Sequence, residues 1–88
     1  MFEIFISNKA KKFLRNINRK LAEEIATAIS LLKANPVPVT ELDIKKLSGE
    51  TDTYRIRIGR YRITYTVYWN EKVIRIAKIE LRSETTYK

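Results

Sequence analysis

The sequence contains no cysteine and no histidine, and each absence excludes a class of chemistry. Without cysteine, neither disulfide bridges nor thiolate metal sites can form. Without histidine, the commonest general base and the commonest metal ligand of proteins are both missing. Catalytic triads that depend on histidine and the usual zinc sites are therefore excluded.

Glycine and long apolar runs are also scarce. The two glycines, Gly49 and Gly59, are too few to form a glycine-rich phosphate-binding loop. No apolar run approaches the roughly 20 residues of a membrane span, and the N-terminus lacks the layout of a signal peptide. We therefore expect a soluble cytoplasmic protein without a membrane partner. The chain shows no repeat and no long linker, which predicts one domain over residues 1–88.

The stretch Tyr54–Tyr68 has the strongest pattern in the chain. Apolar or aromatic residues alternate with polar ones on both sides of residues 59–60, which predicts a β-hairpin with a two-residue turn. The expected cross-strand pairs are Tyr54 with Tyr65, Arg55 with Thr64, Ile56 with Ile63, Arg57 with Arg62, and Ile58 with Tyr61. Because like charges that face each other destabilise a ladder, the pair Arg57 and Arg62 indicates an anion bound between them.

Charge supports the same interpretation. Lysine and arginine together number 18 against 10 acidic residues, a net charge of +8. Residues 1–44 carry a net charge of +2 and residues 45–88 carry +6. Clustered arginine in a basic chain indicates a phosphate-bearing partner such as nucleic acid. A merely solvated or thermostable surface would explain scattered lysines, but not arginines that face each other.

The other periodicities predict two helices and two further strands. Residues 1–6 are typical of a short strand, Ala10 to Ile17 of one helical face, and Leu21 to about Lys33 of a second amphipathic helix. Ser7 or Asn8 is expected to cap the first helix and Asn18 the second. The prolines at 36 and 38 end the second helix, and the segment to Asp43 is expected to be a loop.

A long strand is predicted from Lys72 to Leu81. Its apolar residues are too many for simple alternation, as expected of a strand that is buried on both faces. Ile44 and Leu47, before the hairpin, are expected to lie in the core. The predicted order is β-α-α-β-β-β, which indicates a two-layer α+β fold with a helical hairpin on a mainly antiparallel sheet.

A small set of residues remains that could act on a phosphodiester. The candidate catalytic residues are Arg55, Arg57, Arg62, Arg82 and Tyr87, and the candidate RNA-binding residues are Lys45, Lys46 and Arg60. Guanidinium groups bind phosphate oxygens in a fork and keep their charge. Several around one phosphate could stabilise a pentacoordinate transition state without a metal, and attack by the 2′-OH of RNA needs no protein nucleophile. Glu80 is expected to be an isolated, solvated carboxylate.

The element order and several short motifs together resemble the RelE/ParE toxin superfamily, and most closely its archaeal RelE-type members. The motifs are Lys46–Gly49, Tyr54–Ile58, Tyr61–Tyr65, and Leu81-Arg82 with Tyr87. The resemblance implies a type II toxin that enters the ribosomal A site, cleaves the mRNA codon there and inhibits translation. It also implies a RelB-like antitoxin wrapped around the toxin in a hetero-oligomer. No cofactor and no metal are expected.

The resemblance also assigns roles by position. Arg55 and Arg57 occupy two basic strand positions that are often lysine in the bacterial enzymes. Arg62 matches the arginine that contacts the scissile phosphate, and Arg82 matches the arginine proposed to aid the leaving group. Tyr87 matches the C-terminal tyrosine that stacks on or activates the substrate nucleotide. Because arginine at 55 cannot act as the base proposed for that lysine, the base role passes to Tyr87.

Two alternatives stay open. A ParE-like toxin that poisons DNA gyrase belongs to the same superfamily, although the full basic set argues against it. A non-catalytic module could use the same arginines to bind RNA, and on the residues alone this is as well supported as an enzyme. Apolar residues left over on the two helices or along the first strand are the candidate antitoxin contacts.

Overall fold

The computed structural model describes residues 1–49 and 51–81, so the predicted site residues Arg82 and Tyr87 lie outside the described residues. The elements of that part are β1 (Glu3–Ile6), α1 (Asn8–Leu14), α2 (Arg19–Ala34), β2 (Asp43–Lys46), β3 (Thr53–Ile58), β4 (Tyr61–Tyr68) and β5 (Val73–Leu81). The strands form one mixed sheet in the order β1-β5-β4-β3-β2. β1 runs parallel to β5, and the other neighbouring strands are antiparallel. The predicted α+β fold is confirmed.

The predicted element order lacks one strand. Residues 43–46 were expected to join a loop to the hairpin, but they form β2, which pairs with β3 at one edge of the sheet. Three of these four residues are charged, so no apolar alternation reveals the strand. Ile44 packs against the core as predicted, directly opposite Ile56. β2 therefore forms by pairing with β3 rather than from a local pattern.

The β3–β4 hairpin has the predicted register at each of the five expected pairs. Gly59 opens its two-residue turn with a φ of 58°, a conformation that glycine adopts without the steric cost of a Cβ. The paired rings of Tyr54 and Tyr65 stack with centroids 5.6 Å apart. A local alternation around a short turn was therefore sufficient to fix which arginines face each other.

Both helices begin at predicted capping residues. The Ser7 hydroxyl accepts a hydrogen bond from the backbone N–H of Ala10, and Asn18 Oδ1 accepts one from Leu21. α1 ends at Leu14 in a turn, although Ile17 still packs against the core. Neither of these helices has the length and apolarity needed to cross a membrane.

The helix-facing side of the sheet forms the core. A row of isoleucines crosses four strands as successive cross-strand partners, namely Ile44, Ile56, Ile63 and Ile79. Tyr65 is fully buried beside this row, and its hydroxyl donates a hydrogen bond of 2.8 Å to the Pro36 carbonyl. Burial, and to a smaller extent the neighbouring Tyr54, raises the pKa of Tyr65 above its ordinary value.

β5 contains a β-bulge that changes which of its residues face the core. Thr64 pairs with Lys78 while Tyr65 pairs with Ile76, so Ala77 has no register partner on β4. The buried isoleucines of β5 accordingly lie at 74, 76 and 79. The expectation that this strand is buried on both faces is wrong, because Arg75 is exposed and the bulge breaks the alternation.

The bulge is anchored to the start of α1. Ser7 Oγ donates a hydrogen bond of 2.6 Å to the Ala77 carbonyl while it accepts the capping bond from Ala10. The Ser7 backbone N–H also donates to the Ile76 carbonyl at 3.0 Å. One residue therefore satisfies backbone groups of both the helix terminus and the irregular strand.

Candidate nucleic-acid site on the open face of the sheet

The sheet face that points away from the helices, here called the open face, contains a cleft of about 320 Å³. Its lining residues are Leu47, Thr53, Arg55, Arg62, Thr64, Lys78 and Glu80. They come from β3, β4, β5 and the residue after β2. Because side chains alternate along a strand, the pattern that buries Ile56 and Ile63 on the helix side places Arg55 and Arg62 on the open face.

Arg55 and Arg62 hold guanidinium donors that the described chain does not satisfy. Both side chains are half-buried and their Nε atoms are inaccessible, yet neither Nε has a hydrogen-bond partner within residues 1–49 and 51–81. A buried, unpaired donor costs about 1–3 kcal/mol, and more when the group is charged. An anion in the cleft would supply oxygen acceptors to both residues.

Arg57 lies on the same face but outside the cleft lining. It is opposite Arg62 as predicted, and it binds Asp43 of β2, with both its Nε and Nη2 atoms 2.9 Å from the carboxylate Oδ2. The two side chains are 39% and 52% exposed, so the pair contributes at most about 1 kcal/mol. The sequence had indicated an external anion between Arg57 and Arg62. In the structure, the carboxylate of Asp43 balances the charge of Arg57 instead. The catalytic role of Arg57 stays a prediction.

The three predicted RNA-binding residues do not come together. Lys45 is the register partner of Arg55 and therefore lies on the open face beside the cleft. Lys46 is the partner of Tyr54, which places it on the opposite face. Arg60 lies in the exposed β3–β4 turn, in a separate depression beside the start of α2. Only Lys45 of the three is positioned to extend the cleft.

Three cleft residues were missed or misplaced by the sequence pattern. Leu47 was expected in the core, and Glu80 was expected to be isolated, whereas it lies opposite Arg62. Lys78 was not singled out, and its Nζ lies 3.5 Å from Glu80 Oε2. Regular alternation from Ile76 would put Lys78 on the core side, so only the bulged register reveals its position.

The electrostatics of the cleft favour an anion. Arg55, Arg62 and Lys78 contribute three positive charges, and Glu80 contributes one negative charge. The described residues gather no group of three or more acidic side chains suited to hold a metal ion. A half-enclosed cleft with this balance of charge attracts a phosphate group and offers it several donors.

Comparisons with known proteins agree on one family. A family model described as the ParE toxin of the type II toxin-antitoxin system parDE matches residues 4–85. The RelE1 protein of Methanocaldococcus jannaschii is 37% identical over 87 residues, which are 99% of this chain and 96% of that protein.

Solved structures give the same result. The crystal structure of the archaeal RelE-RelB complex from Pyrococcus horikoshii has a TM-score of 0.86 at 31% identity, over 96% of this chain and 98% of that chain. The intact RelBE toxin-antitoxin complex of E. coli has a TM-score of 0.80 over 97% of this chain and 100% of that chain. At 20% identity, the E. coli comparison shows likeness of fold alone.

Proposed function

Because the chain belongs to the RelE/ParE family of type II toxin-antitoxin toxins, we propose that it is an mRNA interferase. It would bind in the ribosomal A site, cleave the mRNA there and so inhibit translation in the cytoplasm. One observation carries this proposal, namely that Arg55 and Arg62 line the open-face cleft together and that neither forms an ion pair with a described residue. They provide donors for a phosphodiester at the place where the fold gathers positive charge.

The chemistry needs no protein nucleophile. The 2′-oxygen of the substrate attacks the adjacent phosphorus, the bond from phosphorus to the 5′-oxygen breaks, and the products are a 2′,3′-cyclic phosphate and a 5′-hydroxyl. Negative charge on the phosphoryl oxygens increases in the transition state, where Arg55 and Arg62 stabilise it. Arg82 and Tyr87 keep the roles that the family resemblance gives them, and no metal is required for these steps.

Mapping the ends of transcripts tests the proposed function. The purified protein is added to a translation system with a defined mRNA, and the RNA ends are sequenced and tested for a 2′,3′-cyclic phosphate. We expect cuts in phase with codons, and only in messages that are being translated. Double-strand breaks in DNA in the presence of gyrase, with intact mRNA, would favour a ParE-like poison. RNA that is bound but never cut would favour a non-catalytic module.

We further propose that a RelB-like antitoxin binds the chain along the first strand. β1 forms one edge of the described sheet, and a groove of about 630 Å³ runs between β1 and α2. The groove is lined by Met1, Phe2, Glu3, Ile4, Phe5, Ile6, Ile29 and Lys33. An unpaired strand edge beside apolar side chains suits an extended peptide that adds a strand. Supporting this, the structures similar to this chain include complexes of RelE with RelB.

Replacing Phe5 with glutamate should weaken antitoxin binding about thirtyfold without changing mRNA cleavage. Phe5 lines the groove and is 55% exposed, and its register opposite Arg75 places its side chain on the open face of the edge strand, where an added strand would cover it. Loss of a buried aromatic contact in an interface typically costs about 2 kcal/mol. Calorimetric titration with the small acidic protein expected from the adjacent reading frame measures the change. Val39→Glu is the matched control, since Val39 is also exposed but lies outside the groove. Equal affinity of the two variants would place the antitoxin elsewhere.

A further inference from the structure

Two rows of cross-strand partners on the open face differ in their charge balance. In one row, Asp43, Arg57, Arg62 and Glu80 are successive partners, with an acid at each end. In the next row, the partners are Lys45, Arg55, Thr64 and Lys78, three cations without an acid. The second row therefore carries an excess of positive charge, because only Lys78 has an acidic neighbour, Glu80 of the first row at 3.5 Å. The small Thr64 lies between Arg55 and Lys78.

This second row fits one phosphate group. Neighbouring strands are about 4.8 Å apart, so the backbones of Arg55 on β3 and Lys78 on β5 are separated by about 10 Å across Thr64. Two long side chains can both reach a phosphate placed over that threonine. Arg55 and Lys78 then approach the phosphorus from opposite sides, as the attacking and leaving oxygens of an in-line displacement do.

We propose that Lys78 donates the proton to the leaving 5′-oxygen, an assignment that rests on the proposed function. Among the described cleft residues, the arginines keep their protons, and threonine and leucine have none to give at neutral pH. Glu80 is paired as a carboxylate with Lys78 and in that form has no proton to donate. An ammonium group, in contrast, carries three donors and can release one of them to a strongly basic alkoxide. Lys78 is thus the one proton donor among the described residues that line this cleft.

The proposed step balances. The 2′-oxygen forms its bond to phosphorus and gives its proton to the base, a role assigned above to Tyr87. As the bond from phosphorus to the 5′-oxygen breaks, a proton passes from Lys78 Nζ to that oxygen, which leaves as a hydroxyl. The neutral amine then takes up a proton from the solvent and the protonated base releases one to it, so no net proton is gained or lost. This differs from the role that the family resemblance gives to Arg82, because an arginine would stabilise the charge of the leaving group without neutralising it.

Two features position Lys78 for this role. The bulge at Ala77 turns Lys78 onto the open face, and bulges beside active sites commonly redirect a side chain in this way. Glu80 then holds the ammonium group at 3.5 Å from its Oε2, on the same face two residues along the strand. Glu80 is accordingly a positioning residue for Lys78.

A substrate with a sulfur leaving atom tests the assignment. Ribosomes are programmed with a short mRNA whose A-site linkage has either oxygen or sulfur at the bridging 5′ position, and single-turnover cleavage is followed. On the oxygen substrate, Lys78→Met should be slower by about 10²–10⁴-fold, the usual contribution of general acid catalysis. Lys78→Arg, which keeps the charge but releases a proton far less readily, should be nearly as slow. On the sulfur substrate both variants should approach the wild-type rate, because a thiolate leaves without a proton.

The outcomes separate this inference from the proposed function. If wild-type protein cleaves but Lys78→Met is equally fast on oxygen, Lys78 has no part in the reaction. If Lys78→Met is slow on both substrates, Lys78 binds the phosphate and does not donate a proton. Arg55→Gln, which lacks a phosphate-binding group, should remain slow with sulfur and is the matched control. If wild-type protein cleaves neither substrate, the proposed function fails and the assignment of Lys78 fails with it.

Discussion

Replacing Arg62 with glutamine should reduce the rate of mRNA cleavage by about 10²–10³-fold, the usual effect of removing one donor that stabilises a transition-state oxyanion. Arg62 lies in the open-face cleft, and its buried Nε has no hydrogen-bond partner in the described part of the chain. Arg62 forms no ion pair among the described residues, so its guanidinium group is available to a substrate in the cleft. Glutamine keeps much of the side-chain length but removes the positive charge and the forked donor. Single-turnover cleavage on programmed ribosomes measures the loss.

The same substitution should leave stability unchanged or raise it slightly. Arg62 is half-buried and forms no ion pair among the described residues, so its positive charge contributes little to folding. Arg19→Gln is the matched control, because Arg19 is exposed at the start of α2, lies outside the cleft and should retain full activity. A cleavage rate within a few-fold of wild type for Arg62→Gln, with normal folding, would contradict the site assignment.

Replacing Ile63 with alanine should lower the free energy of unfolding by about 2–5 kcal/mol. Ile63 is only 1% exposed and lies in the middle of the row of isoleucines, between Ile56 and Ile79. Removing three carbons at that point leaves a cavity that fixed neighbouring strands cannot close. Domains of this size are stable by about 5–15 kcal/mol, so the loss is a large fraction of the total.

Urea unfolding followed by circular dichroism measures this effect. Leu81→Ala is the control, because Leu81 is 55% exposed and its truncation should change stability by no more than about 0.5 kcal/mol. Ile63→Val should give an intermediate loss of about 0.5–1.5 kcal/mol. Arg62 and Thr64, the two sequence neighbours of Ile63, point to the open face and line the cleft. Ile63→Ala should therefore also slow cleavage at urea concentrations at which the variant is still folded. Equal losses for Ile63→Ala and Leu81→Ala would show that the row is not central to the core.

The hairpin could be predicted because its information is local. A period of two residues and a two-residue turn fix the register, and the register fixes which side chains share a face. Arg55 and Arg62 were therefore assigned to one face from the sequence, and the structure brings both into the cleft. The helix caps at Ser7 and Asn18 were predictable for the same reason.

The features that were missed depend on contacts between distant parts of the chain. β2 has no alternation of its own, so neither the Asp43 partner of Arg57 nor the position of Lys46 on the opposite face could be derived. The bulge likewise exists only where β5 pairs with β4, and without it Lys78 would be assigned to the core. Both errors concern the register between strands, which a single strand's sequence does not contain.

The position of β5 between β1 and β4 also determines when, during synthesis of the chain, the cleft can form. β5 is hydrogen-bonded to β1 on one side and β4 on the other, and it carries two of the cleft residues, Lys78 and Glu80. A nascent chain that has emerged only to residue 72 can form the hairpin, but it has no strand to join β1 to the rest of the sheet. Such long-range pairing is slow and closes last. The ribosome that synthesises this protein therefore does not meet a finished cleft until residues 73–81 have left it.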